Sequence, residues 1–257
     1  MLPGKSPGLE AFGFKFTGGA HISKTMMLDE ITKLIINNPR MTTIEEYHHA
    51  VVSNNILSKA TQSTRQETYN RLRSLYGLDE KIPIFSIYRD LVLYDLQSAH
   101  LLSLLVSWIR DPLLRASTLA IYQANYGDEV KNESIQQAIL QVFPDKYSPS
   151  SLGTTSRNTA STWTQSGHLS GKLKKVRCRV TTRPASVTLS LLLGHICGYE
   201  GEHLFTSPYV RLLDLNSTDA KSQASLAHRE NLLTLKAIGN IVEVSFNRHQ
   251  PYLESVP

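Results

Sequence analysis

The sequence predicts a mainly α-helical fold with a small β-sheet towards the C-terminus, on three observations. Apolar residues recur at helical spacing through most of the first 145 residues. Strand-like alternation appears only in short stretches near 174–180 and 233–246. A proline- and serine-rich run, Pro144-Asp145-Lys146-Tyr147-Ser148-Pro149-Ser150-Ser151, divides the chain. These features give a flexible arm over 1–13, an all-helical domain over 14–145 and a basic domain over 146–257.

After the arm, Phe14 to Ala20 reads as a short extended piece meeting Gly18-Gly19 in a tight turn. The glycine pair has no Gly-Lys-Ser/Thr ending and is not a phosphate-binding loop. A helix is expected from about Lys24 to Ile36, with Met27, Ile31, Leu34 and Ile35 on one face and Asn37-Asn38-Pro39 ending it. Thr43 to Val52 forms a second helix. Thr64-Arg65-Gln66-Glu67 has the spacing of a capping box opening a third, which buries Tyr69, Leu72 and Tyr76, displays Arg65, Arg71 and Arg73, and stops at Gly77. Two short helices about a turn, with arginines on the second, have the outline of a helix-turn-helix, an outline shared with ordinary packing pairs.

From Ile84 to Ile109 the apolar residues repeat over one long or two abutting helices, the hydrophobic spine of this half. Pro112 opens another helix from Leu113 to Tyr126, and Ser134 to Phe143 forms the next. Beyond the boundary come a polar helix at about Ser156 to Gln165, a basic strand framed by Gly167 and Gly171, a buried helix at Val187 to Cys197, a short helix after Ser207-Pro208, and an amphipathic helix at Asp219 to Asn231. The chain closes in a hairpin, Leu233 to Ile238 and Ile241 to Phe246 around Gly239-Asn240. Helices followed by a hairpin are the order of a winged helix, and the strand at 174–180 would supply a third strand to that sheet.

Charge is distributed unevenly. Residues 146–199 contain no Asp or Glu but carry Lys146, Arg157, Lys172, Lys174, Lys175, Arg177, Arg179 and Arg183, while the whole chain is only +5. The remainder is therefore net acidic, and the basicity is local. A local positive field calls for a polyanionic partner. In the basic strand, Val176, Cys178 and Val180 alternate with Lys175, Arg177 and Arg179, so the cations would stand roughly 6.6 Å apart in a row above a small apolar core. Such a row tracks a phosphate backbone. The plainer reading is an edge strand whose cations deter edge-to-edge pairing, but six basic residues between Lys172 and Arg183 exceed that need.

Other chemistries find little support. Two cysteines make no disulfide framework, and Cys178 is expected to face inward. His195, Cys197, Glu202 and His203 match no metal-ligand spacing, and His48-His49, adjacent on a helix, do not face one another. There is no nucleophile elbow and no zinc-protease motif. No catalysis, cofactor or metal is expected. The N-terminus lacks the apolar core of a signal peptide, and the longest apolar stretches fall short of the ~20 residues a membrane span needs; a cytoplasmic location follows. Trp163 is expected in the core.

Several short motifs carry a family resemblance. Phe16-Thr17-Gly18-Gly19-Ala20, the Asn55-Ile56-Leu57-Ser58-Lys59 lead into Thr64 to Leu75 with Arg71-Leu72, and Tyr88-Arg89-Asp90-Leu91 make residues 14 to 130 resemble the BrxA family of bacterial BREX phage-defence accessory proteins. The resemblance implies an all-helical, non-enzymatic protein with helix-turn-helix-like elements that binds double-stranded DNA beside other subunits of a defence complex. His21, where an apolar residue is expected, and the basic segment depart from that pattern.

The sequence thus points to a non-catalytic binder of double-stranded DNA. Lys172, Lys174, Lys175, Arg177, Arg179 and Arg183 are the expected phosphate contacts, Arg157, Asn158 and Thr159 lie nearest the groove, and Arg65, Arg71 and Arg73 form a second patch. The alternatives are an assembly adaptor docking through the basic strand and an RNA-binding protein.

Overall fold

The computed structural model describes residues 4–41, 43–238 and 241–254, and the Gly239-Asn240 turn lies outside them. The protein is mainly α-helical with small antiparallel sheets. In chain order the helices are α1 (Pro7–Phe12), α2 (Leu28–Asn37), α3 (Ile44–His48), α4 (Gln62–Tyr76), α5 (Pro83–Tyr94), α6 (Ala99–Arg110), α7 (Pro112–Gln123), α8 (Asn132–Val142) and α9 (Pro149–Gln165). The strands β1 (Leu169–Ser170) and β2 (Val176–Arg177) follow, then α10 (Pro184–Ile196), α11 (Gly201–Leu204), α12 (Pro208–Arg211) and α13 (Ser217–Arg229). The hairpin strands β3 (Thr234–Ile238) and β4 (Ile241–Ser245) and the short α14 (Gln250–Leu253) complete the chain.

Two compact units share these elements. The first comprises residues 1–14, 79–105 and 181–257, the second 15–78 and 106–180. This division differs from the linear one expected at 145/146, since 144–148 leads from α8 to α9 and 149–151 already form the first turn of α9, all inside the second unit. The segment expected to be a flexible arm contains α1: Pro7 supplies its first residue, Ser6 accepts the Leu9 N–H as its cap, and Leu9 and Phe12 are buried.

The first unit is built around α10, whose Val187, Leu189, Leu191, Leu192 and Leu193 are fully buried. A helix buried on every side, here with Ser186, Thr188 and Ser190 among its leucines, requires neighbours on every side, and α5, α12 and α13 pack against it. Tyr88 Oη and Ser103 Oγ, 2.7 Å apart, join α5 to α6. The β3–β4 hairpin keeps the expected register, pairing Leu235 with Val244 and Ala237 with Val242. The basic segment is not its third strand; β3 and β4 form a sheet by themselves.

The second unit holds the helix pair α3 and α4. The capping box is at Thr43 and Glu46, opening α3, which runs on as a π-helical turn over His49–Ser53. Thr64 does not cap α4; Thr61 does, accepting the Thr64 N–H. Sequence spacing alone does not separate these two Thr-x-x-Glu runs. Tyr69, Leu72 and Tyr76 are buried as expected, and α4 ends at Gly77, whose φ of 103° suits a residue without a Cβ. Trp163 is fully buried on α9, its Nε1 donating to Ser117 Oγ at 2.8 Å.

The order from α7 onward is helix, bridge, helix, helix, hairpin. Leu169 pairs with Arg177 and Ser170 with Val176. On the other side of β2, Val130 N–H donates to Lys175 O, Arg177 N–H to Asp128 O and Gly127 N–H to Arg177 O. Glu129 forms an antiparallel bridge with Val176. The segment between α7 and α8 thus flanks β2 opposite β1. Both neighbours fix the strand, and this pairing decides which way its side chains point.

Candidate nucleic-acid interface

The site is built on α9, whose flanks are occupied unequally. Asp111 caps α7, its Oδ1 accepting the Leu113 and Leu114 N–H groups. Its Oδ2 lies 2.8 Å from His21 Nδ1 and accepts the His21 backbone N–H at 3.0 Å. His21 Nε2 in turn lies 2.8 Å from Thr162 Oγ1, which also accepts the Met26 N–H. Asn158 donates to His21 O at 2.9 Å, and Gln165 accepts the Leu28 N–H at 3.1 Å. Asn158, Thr162 and Gln165 lie at i, i+4 and i+7, one stripe of the helix. That stripe is spent on residues 21–28.

The carboxylate, imidazole and hydroxyl of Asp111, His21 and Thr162 have the order of a nucleophilic triad. All three residues are at 0% exposure, so the array has no face open to a substrate. It acts as a clamp. Burial alone would raise the Asp111 carboxyl, but the neighbouring His21 and the hydrogen bonds from His21 and Leu113 outweigh it and hold its pKa at about 2.

The Arg157 and Ser161 stripe of α9 faces instead a cleft of about 600 Å³. Its walls are residues 129–133, which run from the segment beside β2 into the start of α8, Arg157, Ala160 and Ser161 of α9, and Lys172, Leu173 and Lys175 of the loop joining β1 to β2. Four cations, Lys131, Arg157, Lys172 and Lys175, line it against two carboxylates, Glu129 and Glu133. The loop is braced: Lys175 Nζ donates to Gly171 O at 2.8 Å, and Gly171 has φ +93°. Lys172, Leu173 and Lys174 are exposed and Lys175 half-exposed.

The expected cationic row is not continuous. Arg177 is 4% exposed: Nε donates to Ile121 O at 3.3 Å, Nη1 donates to Cys178 O, and the guanidinium lies 5.0 Å from the Tyr126 ring centre. Ile121 is in the last turn of α7, whose unpaired carbonyls attract a cation. Arg177 therefore belongs to the interior, not to a phosphate-facing row. Cys178, expected inward, is half-buried with Sγ 3.1 Å from Ser170 Oγ. With only two residues in β2, pairing on both sides sets the orientation against the hydrophobic alternation.

Thr159, expected nearest the groove, is fully buried and donates to the Thr155 and Ser156 carbonyls. Arg157 is exposed, its Nη2 donating to Thr154 Oγ1. Arg179 is exposed. Arg183 is exposed but lies in the first unit, paired with Asp95 at 2.7 Å. On α4, Arg73 is exposed, Arg71 half-buried, and Arg65 half-buried with Nε donating to Lys59 O. At about 100° per residue, Arg71 projects roughly 160° away from Arg73, so the three do not share one face.

Lys131 and Leu173 belong to the cleft and were not expected from the sequence as site residues. Lys131 is masked there by its acidic neighbours Asp128, Glu129 and Glu133. Among the described residues there is no group of three His, Cys, Asp or Glu able to hold a metal ion, and no helix is long and apolar enough to cross a membrane. No protein-family model and no curated protein matches the chain.

Proposed function

We propose that this protein is a non-catalytic, cytoplasmic binder of double-stranded DNA. In this reading α7 to β2 form a winged-helix-like element, with α8 and α9 as its helix pair and the β1–β2 loop as its wing. The winged helix thus moves from the C-terminal hairpin to residues 112–180. One observation carries the proposal: the loop presenting Lys172, Lys174 and Lys175 borders the same cleft as the exposed Arg157 of α9. A helix stripe of arginine and hydroxyls suits groove and phosphate contacts, and the lysines supply affinity through counterion release. A role as an accessory subunit of a BREX-like phage-defence complex follows from the BrxA resemblance.

Fluorescence anisotropy of a labelled generic duplex tests this reading. The Lys172→Glu, Lys174→Glu double variant should bind at least roughly 30-fold more weakly than the parent while keeping its thermal midpoint, because these two side chains stand in solvent. Equal affinity of parent and variant moves the interface elsewhere. Absence of parental binding at low salt turns the basic loop into a docking face for another protein, and preference for duplex RNA would favour an RNA-binding role.

A further inference from the structure

Leu173 is 94% exposed at the apex of the β1–β2 loop, with Lys172 and Lys174 on either side. Resting on the DNA-binding reading above, we infer that Leu173 is an apolar wedge that enters the minor groove and partly unstacks a base step, so that the preferred ligand is a duplex rich in deformable pyrimidine–purine steps. Apolar side chains inserted between base pairs are a recurrent means of kinking DNA, and leucine is among those used.

Three features support the assignment. First, the loop holds its apex outward. Gly171 takes a positive φ, a Cβ there would collide with the Lys174 carbonyl oxygen, and the Lys175 ammonium closes the loop onto Gly171 O. A wedge must resist the stack it opens, and a braced five-residue loop does so better than a free one. Second, Lys172 and Lys174 flank the leucine with no acid anywhere in the loop. Cations on both sides suit the two phosphate strands bounding a minor groove about 6 Å wide. Third, Leu173 and Arg157 line one cleft, so a duplex contacting α9 is within reach of the loop apex. A flat anionic bilayer would meet the apex but not the recessed wall, and one leucine among three lysines is a weak membrane anchor. Pyrimidine–purine steps, TA above all, unstack most readily.

The test uses the full chain and a short duplex carrying 2-aminopurine in place of the adenine at TA steps, with anisotropy and 2-aminopurine emission read in the same titration. The parent protein should bind and raise the emission several-fold. Leu173→Ala should bind within about tenfold of the parent but leave the emission near that of free duplex, whereas Lys174→Glu should weaken binding itself. Parental binding without an emission rise overturns the wedge and leaves DNA binding standing, as does a Leu173→Ala variant that retains the rise. No parental binding, with or without sedimentation on phosphatidylserine vesicles, overturns both.

Discussion

His249 illustrates how a single side chain sets a pH dependence. It is fully buried, neither ring nitrogen has a hydrogen-bond partner, and burial, with the Arg248 charge beside it, lowers its pKa to about 4. The unfolded chain, near 6.5, takes up this proton first as pH falls. Stability contributed by the neutral ring is therefore present above pH 6.5 and is lost between 6.5 and 4, by about 3 kcal/mol at most. Replacing His249 by Phe should flatten that window in urea titrations at pH 7 and 5, because a ring of similar size then needs no proton and no partner. An unchanged pH dependence in the variant would remove His249 as its source.

At the scale of elements, β2 separates cations that look alike in sequence. Lys174 ends in solvent, while Arg177 is held by the last turn of α7. Arg177→Ala should cost about 3 kcal/mol, the cost of leaving helix-terminal carbonyls without their charged donor. Lys174→Glu should leave thermal stability within about 0.5 kcal/mol. Thermal melts together with binding per folded molecule separate the two roles. Specific loss of DNA affinity in Arg177→Ala, with no fall in midpoint, would return Arg177 to the interface. The same division applies along α9, where the Asn158, Thr162 and Gln165 stripe is tied to residues 21–28 and the Arg157 and Ser161 stripe faces the cleft.

For the whole molecule, the DNA-binding proposal has the salt dependence set by four cations at the loop and helix, the exposed Arg157, Lys172 and Lys174 and the half-exposed Lys175. If each neutralises one phosphate, log K against log salt should have a slope of about −3.6, against about −4.5 for five contacts. A slope near zero would show that the affinity is not electrostatic. Acid acts on the two units in different windows. His249 belongs to the first unit, whereas Asp111, in the second, is held at about 2 against 3.8 unfolded. The stability Asp111 contributes is full above pH 4 and disappears as pH falls towards 2, about 2 kcal/mol in all.

The sequence by itself determined most of the elements. The spacing of Tyr69, Leu72 and Tyr76, the uncharged, leucine-rich run from Val187, the proline starts at 112 and 208 and the alternation of the C-terminal hairpin follow from local sterics and periodicity, which neighbours in the chain suffice to set. The concentration of positive charge in residues 146–199 was equally legible, since formal charge needs no coordinates. Tertiary structure alone decided which of those cations face solvent. Arg177 turned inward because its strand is paired on both sides and a helix terminus lies behind it, and Asn158 and Thr159 were taken up because distant residues of the same unit cover or underlie α9. The His21, Asp111 and Thr162 clamp joins positions up to 141 residues apart. Partners at that separation leave no local period to read; only the folded chain brings them within hydrogen-bonding distance.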